Sequence, residues 1–159
     1  MEAEIKIRTL ASADPTLQGI FGTGPFRFFD RRLQPGYLKQ GPCIRMTRIS
    51  TVYGYTNSPP GLMALDQPRF QFDIMSLVDD ITSWAAAQAF IAWMSTVSFA
   101  ENSDFASPPV NPPHSPNFLL NRRAGMEAQV EGGNVSPSSV ATGPVWVETL
   151  DYRIYNLEN

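Results

Sequence analysis

Polar and apolar residues alternate strictly from Arg69 to Ile74: Arg69, Gln71 and Asp73 against Phe70, Phe72 and Ile74. A period of two is that of a half-buried strand, so the two phenylalanines and Ile74 are expected to face a core. Asp79 and Asp80 follow, and Ile81 to Val97 then contains neither Gly nor Pro. This predicts a helix with either aspartate as its N-cap, both at the positive end of the helix dipole. Trp84, Ala87, Ile91, Met94 and Ser98 form one row along it. Phe90, Trp93 and Val97 broaden that row, so the helix is expected to be buried on more than one side.

The same reading extends along the chain. Residues 2 to 21 read as helical, with Ile5, Leu10, Leu17, Ile20 and Phe21 as the apolar face. Asp14-Pro15 fits an N-cap followed by proline at the first helical position, which opens a short second helix. Phe26 to Asp30 reads as an edge strand, and Pro35-Gly36 as a turn. Cys43 to Tyr53 is β-branched and predicts a strand. Arg45 and Arg48 fall on opposite faces of it, which places one of them near a strand end or a bulge. Gly54 to Gln67 reads as a long hairpin connection, with Pro68 at the first residue of the returning strand.

Phe99 to Pro116 is a long proline-rich connection, semi-extended because proline fixes φ. Phe118 to Val130 alternates again, with Phe118, Leu120, Ala124, Met126, Ala128 and Val130 on one face and Arg122 interrupting it. Glu131 to Gly143 is a Gly/Ser/Pro connection. Val145 to Tyr155 is the last strand, with Trp146, Leu150, Tyr152 and Ile154 in phase. The expected fold is α+β: one domain over residues 1–159, with long loops at 54–67 and 99–116. Its sheet is mostly antiparallel, of about four main strands. A long helix and a shorter N-terminal helical region pack on one face.

Composition changes this picture in one respect. Only 17% of the 159 residues are charged while 43% are apolar, against a usual charged share of about 25%. Such a chain is expected to cover part of its surface with a partner. A net charge of −3 provides no basic field for nucleic acid or an anionic membrane. The single Cys43 excludes an internal disulfide. Met1 to Leu10 has no apolar core of signal-peptide length, and no stretch reaches the ~18 apolar residues of a membrane span. The chain is therefore expected to be made in a reducing cytoplasm.

Candidate chemistry is sparse. His114 is the only histidine and lies between Pro113 and Ser115, a setting that favours an exposed loop residue over an acid-base catalyst. Cys43 at a strand start reads as a small buried residue rather than a nucleophile. One His and one Cys do not make a zinc site. Asp79 and Asp80 are better explained by capping than as paired catalytic carboxylates. Gly22-Thr23-Gly24 lacks the lysine and helix of a phosphate loop. The expectation is no enzyme, no metal and no cofactor. Leu62, Met63 and Leu65 stand in a connection rich in Pro, Gly and Asn, flanked by Tyr53 and Tyr55. They either pack back on the core or dock into a neighbour.

The order of segments carries a resemblance. It runs from an N-terminal helix to Pro42 opening a strand with Ile49-Ser50, then a hairpin returning on Arg69 to Ile74. An Ala-rich helix at Ala85 to Ala92 follows, and the chain closes on Asp151 to Ile154. This order resembles the small tail-completion or tail-terminator proteins of long-tailed bacteriophages, although Phe99–Pro116 is longer and richer in proline than that pattern. The resemblance implies a non-enzymatic virion protein, assembled in the host cytoplasm as a homohexameric ring at the head-proximal end of the tail tube. The ring would end tube polymerisation and meet the tail-tube protein on one side and the head connector or stopper protein on the other. Phage DNA would only pass through its lumen, and no membrane is involved. The 54–67 hairpin and the 99–116 loop would then make the axial and intersubunit contacts, with Tyr53, Tyr55, Leu62, Met63, Leu65, Phe105 and His114 as contact residues. Two alternatives stand beside it. One is another neck or head–tail connector protein. The other is a small-ligand-binding or enzymatic α+β domain that uses the Trp84/Trp93 helix as a pocket wall.

Overall fold

Phe28, Ile44, Phe72 and Leu150 lie on four strands and meet in one buried cluster, so the aromatic-rich segments of the chain are neighbours in a single sheet. The computed structural model describes residues 2–33, 36–55, 64–97, 117–127 and 144–154. Among them are three α-helices and five strands, an α+β fold. In chain order these are α1 (Glu2–Ala13), α2 (Pro15–Phe21), β1 (Phe28–Asp30), a 3-10 turn (Tyr37–Gln40), β2 (Cys43–Tyr55), β3 (Ala64–Ser76), α3 (Asp80–Met94), β4 (Asn117–Glu127) and β5 (Val145–Ile154). The sheet order is β1-β2-β3-β5-β4. β1 runs parallel to β2, and every other pair is antiparallel.

The alternation at Arg69–Ile74 has its expected outcome. Phe70, Phe72 and Ile74 are fully buried beneath the helices. Phe72 is the hub, with its ring 4.9 Å from that of Phe90 and edge-on to Phe28 and Tyr152. Asp79 caps α3 by accepting the Thr82 N–H at 2.7 Å, and Asp14 caps α2 by accepting the Leu17 N–H at 3.0 Å with Pro15 directly after it. Each oxygen satisfies an amide that the first helical turn leaves without a partner.

Several expectations need correction. In α1 the buried apolar residues are Ala3, Ile7 and Ala11, whereas Ile5 and Leu10 are exposed. A spacing of four brings small residues to the sheet side and permits close packing, so size was the wrong guide there. α3 ends at Met94 and is buried on one side through Ser83, Ala86, Ala87, Phe90, Trp93 and Met94. Trp84 and Ile81 remain exposed on its flank, and Ser98 lies outside the described residues.

The hairpin is longer than its composition suggests. β2 continues to Tyr55 and β3 starts at Ala64, with Tyr53 opposite Asp66 and Gly54 opposite Leu65. Ladder hydrogen bonding between two long partners overrides the weak strand propensity of Gly54, Asp66 and Pro68. Pro68 is tolerated because the β3–β5 ladder begins only at Arg69, so β2 is its one strand neighbour among the described residues. The bulge expected from the two arginines is present: the β2–β3 register shifts between Arg48 and Ser50.

β4 departs furthest from expectation. Its alternating apolar residues do not face a core, and Phe118, Leu120 and Met126 are all exposed. It is an edge strand, and a register shift between Leu119 and Asn121 breaks its alternation. Ala128 and Val130 lie outside the described residues. β5, by contrast, is buried on both faces. Leu150, Tyr152 and Ile154 join the main core, and Val145 and Val147 join a second cluster with Phe29, Leu33, Leu38, Cys43 and Met75 on the opposite face.

One buried cation ties the N-terminal helices to the sheet. Arg27 donates to the Ile20 and Pro42 carbonyls, each at 2.9 Å. Gly22 and Gly41 flank the guanidinium, and a Cβ at either would lie 2.6 Å from one of its nitrogens. Both glycines also hold positive φ, so backbone and packing demand the same residue.

Candidate interaction surface

The helix-free face of the sheet has two zones. At one end Leu33, Tyr37 and Leu38 cover it with the second core cluster. Beyond that end, β2, β3, β5 and β4 present Arg45, Asp73, Thr149 and Arg123 along successive registers. Asp73 is 2% exposed. One of its oxygens accepts Arg45 Nε at 3.0 Å and Nη2 at 2.8 Å, and the other accepts Thr149 Oγ1 at 2.9 Å and Gln71 Nε2 at 3.1 Å. Arg45 Nη2 also reaches Glu127 on β4 at 3.2 Å. Burial works against the Arg45 charge, but the Asp73 and Glu127 carboxylates outweigh it and raise its pKa.

A second carboxylate follows. Asp151, also buried, meets Arg123 at 3.3 Å and Arg69 at 3.5 Å. These pairs link all four long strands across the polar face. Between Arg123 and Glu127, Gly125 leaves a shallow depression of about 170 Å³ floored by Val147 and Thr149.

The helix side of β4 is different. Arg122 donates to Glu148 at 3.2 Å and to Gln88 on α3 at 2.6 Å, with its guanidinium 5.7 Å from the Trp84 ring centroid. The expected interruption of that face by Arg122 is therefore an anchor for β4 rather than a defect. Around it Leu119, Leu120, Met126, Ile81 and Trp84 are 40–69% exposed. Apolar exposure concentrated on a sheet edge and its flanking helix makes this face a candidate contact surface.

The contact residues expected from sequence are placed as follows. Tyr53, Tyr55 and Leu65 sit in the paired outer part of the β2–β3 hairpin, past the last β3–β5 pair. The register sets Leu65 opposite Gly54, the residue between the two tyrosines. Leu62, Met63, Phe105 and His114 lie outside the described residues. The exposed apolar residues that sequence reasoning did not single out for contact are Ile49, Leu119, Leu120 and Met126. Leu120 and Met126 were visible in an alternating stretch, but alternation does not distinguish a face turned to a core from an exposed one.

Trp93 packs in the core against Phe90 at 5.6 Å, on the opposite side of α3 from Trp84, so the two indoles do not share a wall. Cys43 is buried, and its thiol donates to the Gly41 carbonyl at 3.5 Å. Among the described residues no group of His, Cys, Asp and Glu is arranged to hold a metal ion. No helix among them is long and apolar enough to cross a membrane. No family model and no curated protein matches the sequence.

Proposed function

We propose that this chain is a structural virion protein. In this reading it closes with copies of itself into a ring at the head-proximal end of a phage tail tube, ends tube polymerisation and joins the tail to the head connector. The observation that carries the reading is β4: an eleven-residue edge strand with Leu119, Leu120 and Met126 exposed and the charged Arg122 turned back onto Glu148 and Trp84. A surface of this kind favours association over solvent exposure. The order of segments resembling tail terminators supports the specific role, and the tail-tube and connector proteins are its proposed partners. DNA passes through the lumen without being held, which suits a chain of net charge −3.

Native mass spectrometry and particle imaging of the purified protein test this. Rings of six copies, and capping of tail tubes when the two proteins are mixed, are expected. A monomer at tens of micromolar that leaves tube length unchanged would sink it.

A further inference from the structure

Among the described residues the sheet has two open edges. Among the described residues β5 is the one strand that pairs with β4. At the other side β1 pairs with Ile44, Arg45 and Met46 of β2, so among the described residues the stretch from Thr47 to Tyr55 has β3 as its one strand neighbour. Each open edge carries a bulge, and each bulge inserts an apolar residue. Ile49 is the extra residue between Arg48 and Ser50, and Leu120 is the extra residue between Leu119 and Asn121. Their exposures are 46% and 42%.

The two bulges sit at the same level. Arg48 faces Phe70, Phe70 faces Tyr152, and Tyr152 faces Leu119, so one cross-strand row ends at a bulge on either side. Lysine and other charged side chains on an edge, and bulges that twist it away, are separate means by which an edge strand avoids pairing with another chain. These two bulges present isoleucine and leucine. β2 and β4 also run in opposite directions, since three successive antiparallel pairings separate them. A rotation about an axis along the strands preserves direction and level. It therefore brings β4 of one copy antiparallel to β2 of the next, with Leu120 within roughly two residues' rise, about 7 Å, of Ile49.

We infer that copies of this chain join by β4-to-β2 strand pairing centred on the two bulges, so that the sheet continues from one protomer into the next. The contact is heterologous and closes into a ring. It rests on the self-assembly reading above and assigns that reading its surfaces.

Four variants test it by native mass spectrometry and sedimentation, with circular dichroism as the control for folding. Leu120→Lys and Ile49→Lys each change an exposed residue and each blocks one edge. Each variant alone is expected to lose assembly by at least tenfold in concentration dependence. Mixed in equal amounts, they are expected to form one-to-one dimers that grow no further, because that contact uses the one open β4 and the one open β2 and leaves a lysine on each outer edge. The double variant L120E/I49K is expected to regain rings, since opposite charges then meet at every contact. If a lysine variant fails to fold, Leu120→Gln or Ile49→Gln replaces it, with weakened assembly expected.

Dimers of Ile49→Lys alone, with Leu120→Lys monomeric, would mean two-fold pairing of β4 with β4 and overturn the inference. Rings formed by both single variants as readily as by the unaltered protein would also overturn it while leaving the ring reading intact. An unaltered protein that stays monomeric would remove both.

Discussion

Arg45 places Nε and Nη2 on one carboxylate oxygen of Asp73, across the β2–β3 ladder. The remaining capacity of Asp73 is taken by Gln71 and Thr149, which leaves the buried charge fully paired. Removing one member of such a pair leaves an uncompensated charge in a poorly solvated place. Asp73→Ala is expected to lower stability by about 2–4 kcal/mol. Arg45 is a quarter exposed and keeps Glu127, so its own cost after loss of Asp73 falls at the low end of that range. Urea unfolding monitored by tryptophan fluorescence measures it; a change within error would show the pair to be energetically idle.

Asp79 gives a pH-dependent contribution. Thr82, through its side chain and its backbone N–H, holds the Asp79 carboxyl below its usual pKa. A depressed folded-state pKa means the stabilisation is present above the unfolded value, near 4, and is lost as pH falls through the folded value. Asp79→Ala is expected to lower the Tm at pH 7, and its gap from the unaltered protein is expected to narrow in acid. Asp79→Ser keeps a cap oxygen without charge, so it retains most of the Tm with a flatter acid limb. Thermal melts from pH 2 to 7 check both.

Tyr152 acts at the other end of the scale. Burial pushes its phenol well above the ordinary value, against the opposing pull of Arg122. A raised folded-state pKa here means the folded protein keeps a neutral tyrosine that the unfolded chain ionises. The contribution is therefore complete below about pH 10 and is lost as pH rises beyond it. Tyr152→Phe is expected to flatten the alkaline fall in stability, as read from denaturant midpoints between pH 8 and 11.

Gly41 and Arg27 are expected to be coupled. Gly41→Ala brings a Cβ to within 2.6 Å of the Arg27 guanidinium at a φ of 148°. A loss of at least about 1–2 kcal/mol is expected from strain and overlap together. Arg27→Ala removes the overlap but leaves the strain, so the double variant is expected to cost less than the sum of the singles. A double-mutant cycle by urea unfolding measures the difference. Strict additivity would mean that the side-chain overlap contributes nothing.

Local chemistry was legible wherever a residue acts on its immediate neighbours. The Asp14 and Asp79 caps, Pro15 at a helix start, the alternation into β3 and the β2 bulge near Arg48 all follow from short-range sterics and hydrogen bonding. Strand length was not legible at Gly54, Asp66 and Pro68, because pairing with a distant segment outweighs their individual preferences. Neither was the direction of exposure. Met126 and Phe70 each stand in alternating stretches, yet one is 62% exposed and the other fully buried.

The order of helices and strands, the caps and the core face of β3 were set by the sequence itself, since periodicity and capping act within a few residues. The five-strand order, the burial of Asp73 and Asp151 and the cross-strand row that ends at the Ile49 and Leu120 bulges were decided only by the tertiary structure. Each depends on which strand lies beside which, and that is a property of contacts between residues far apart in the chain.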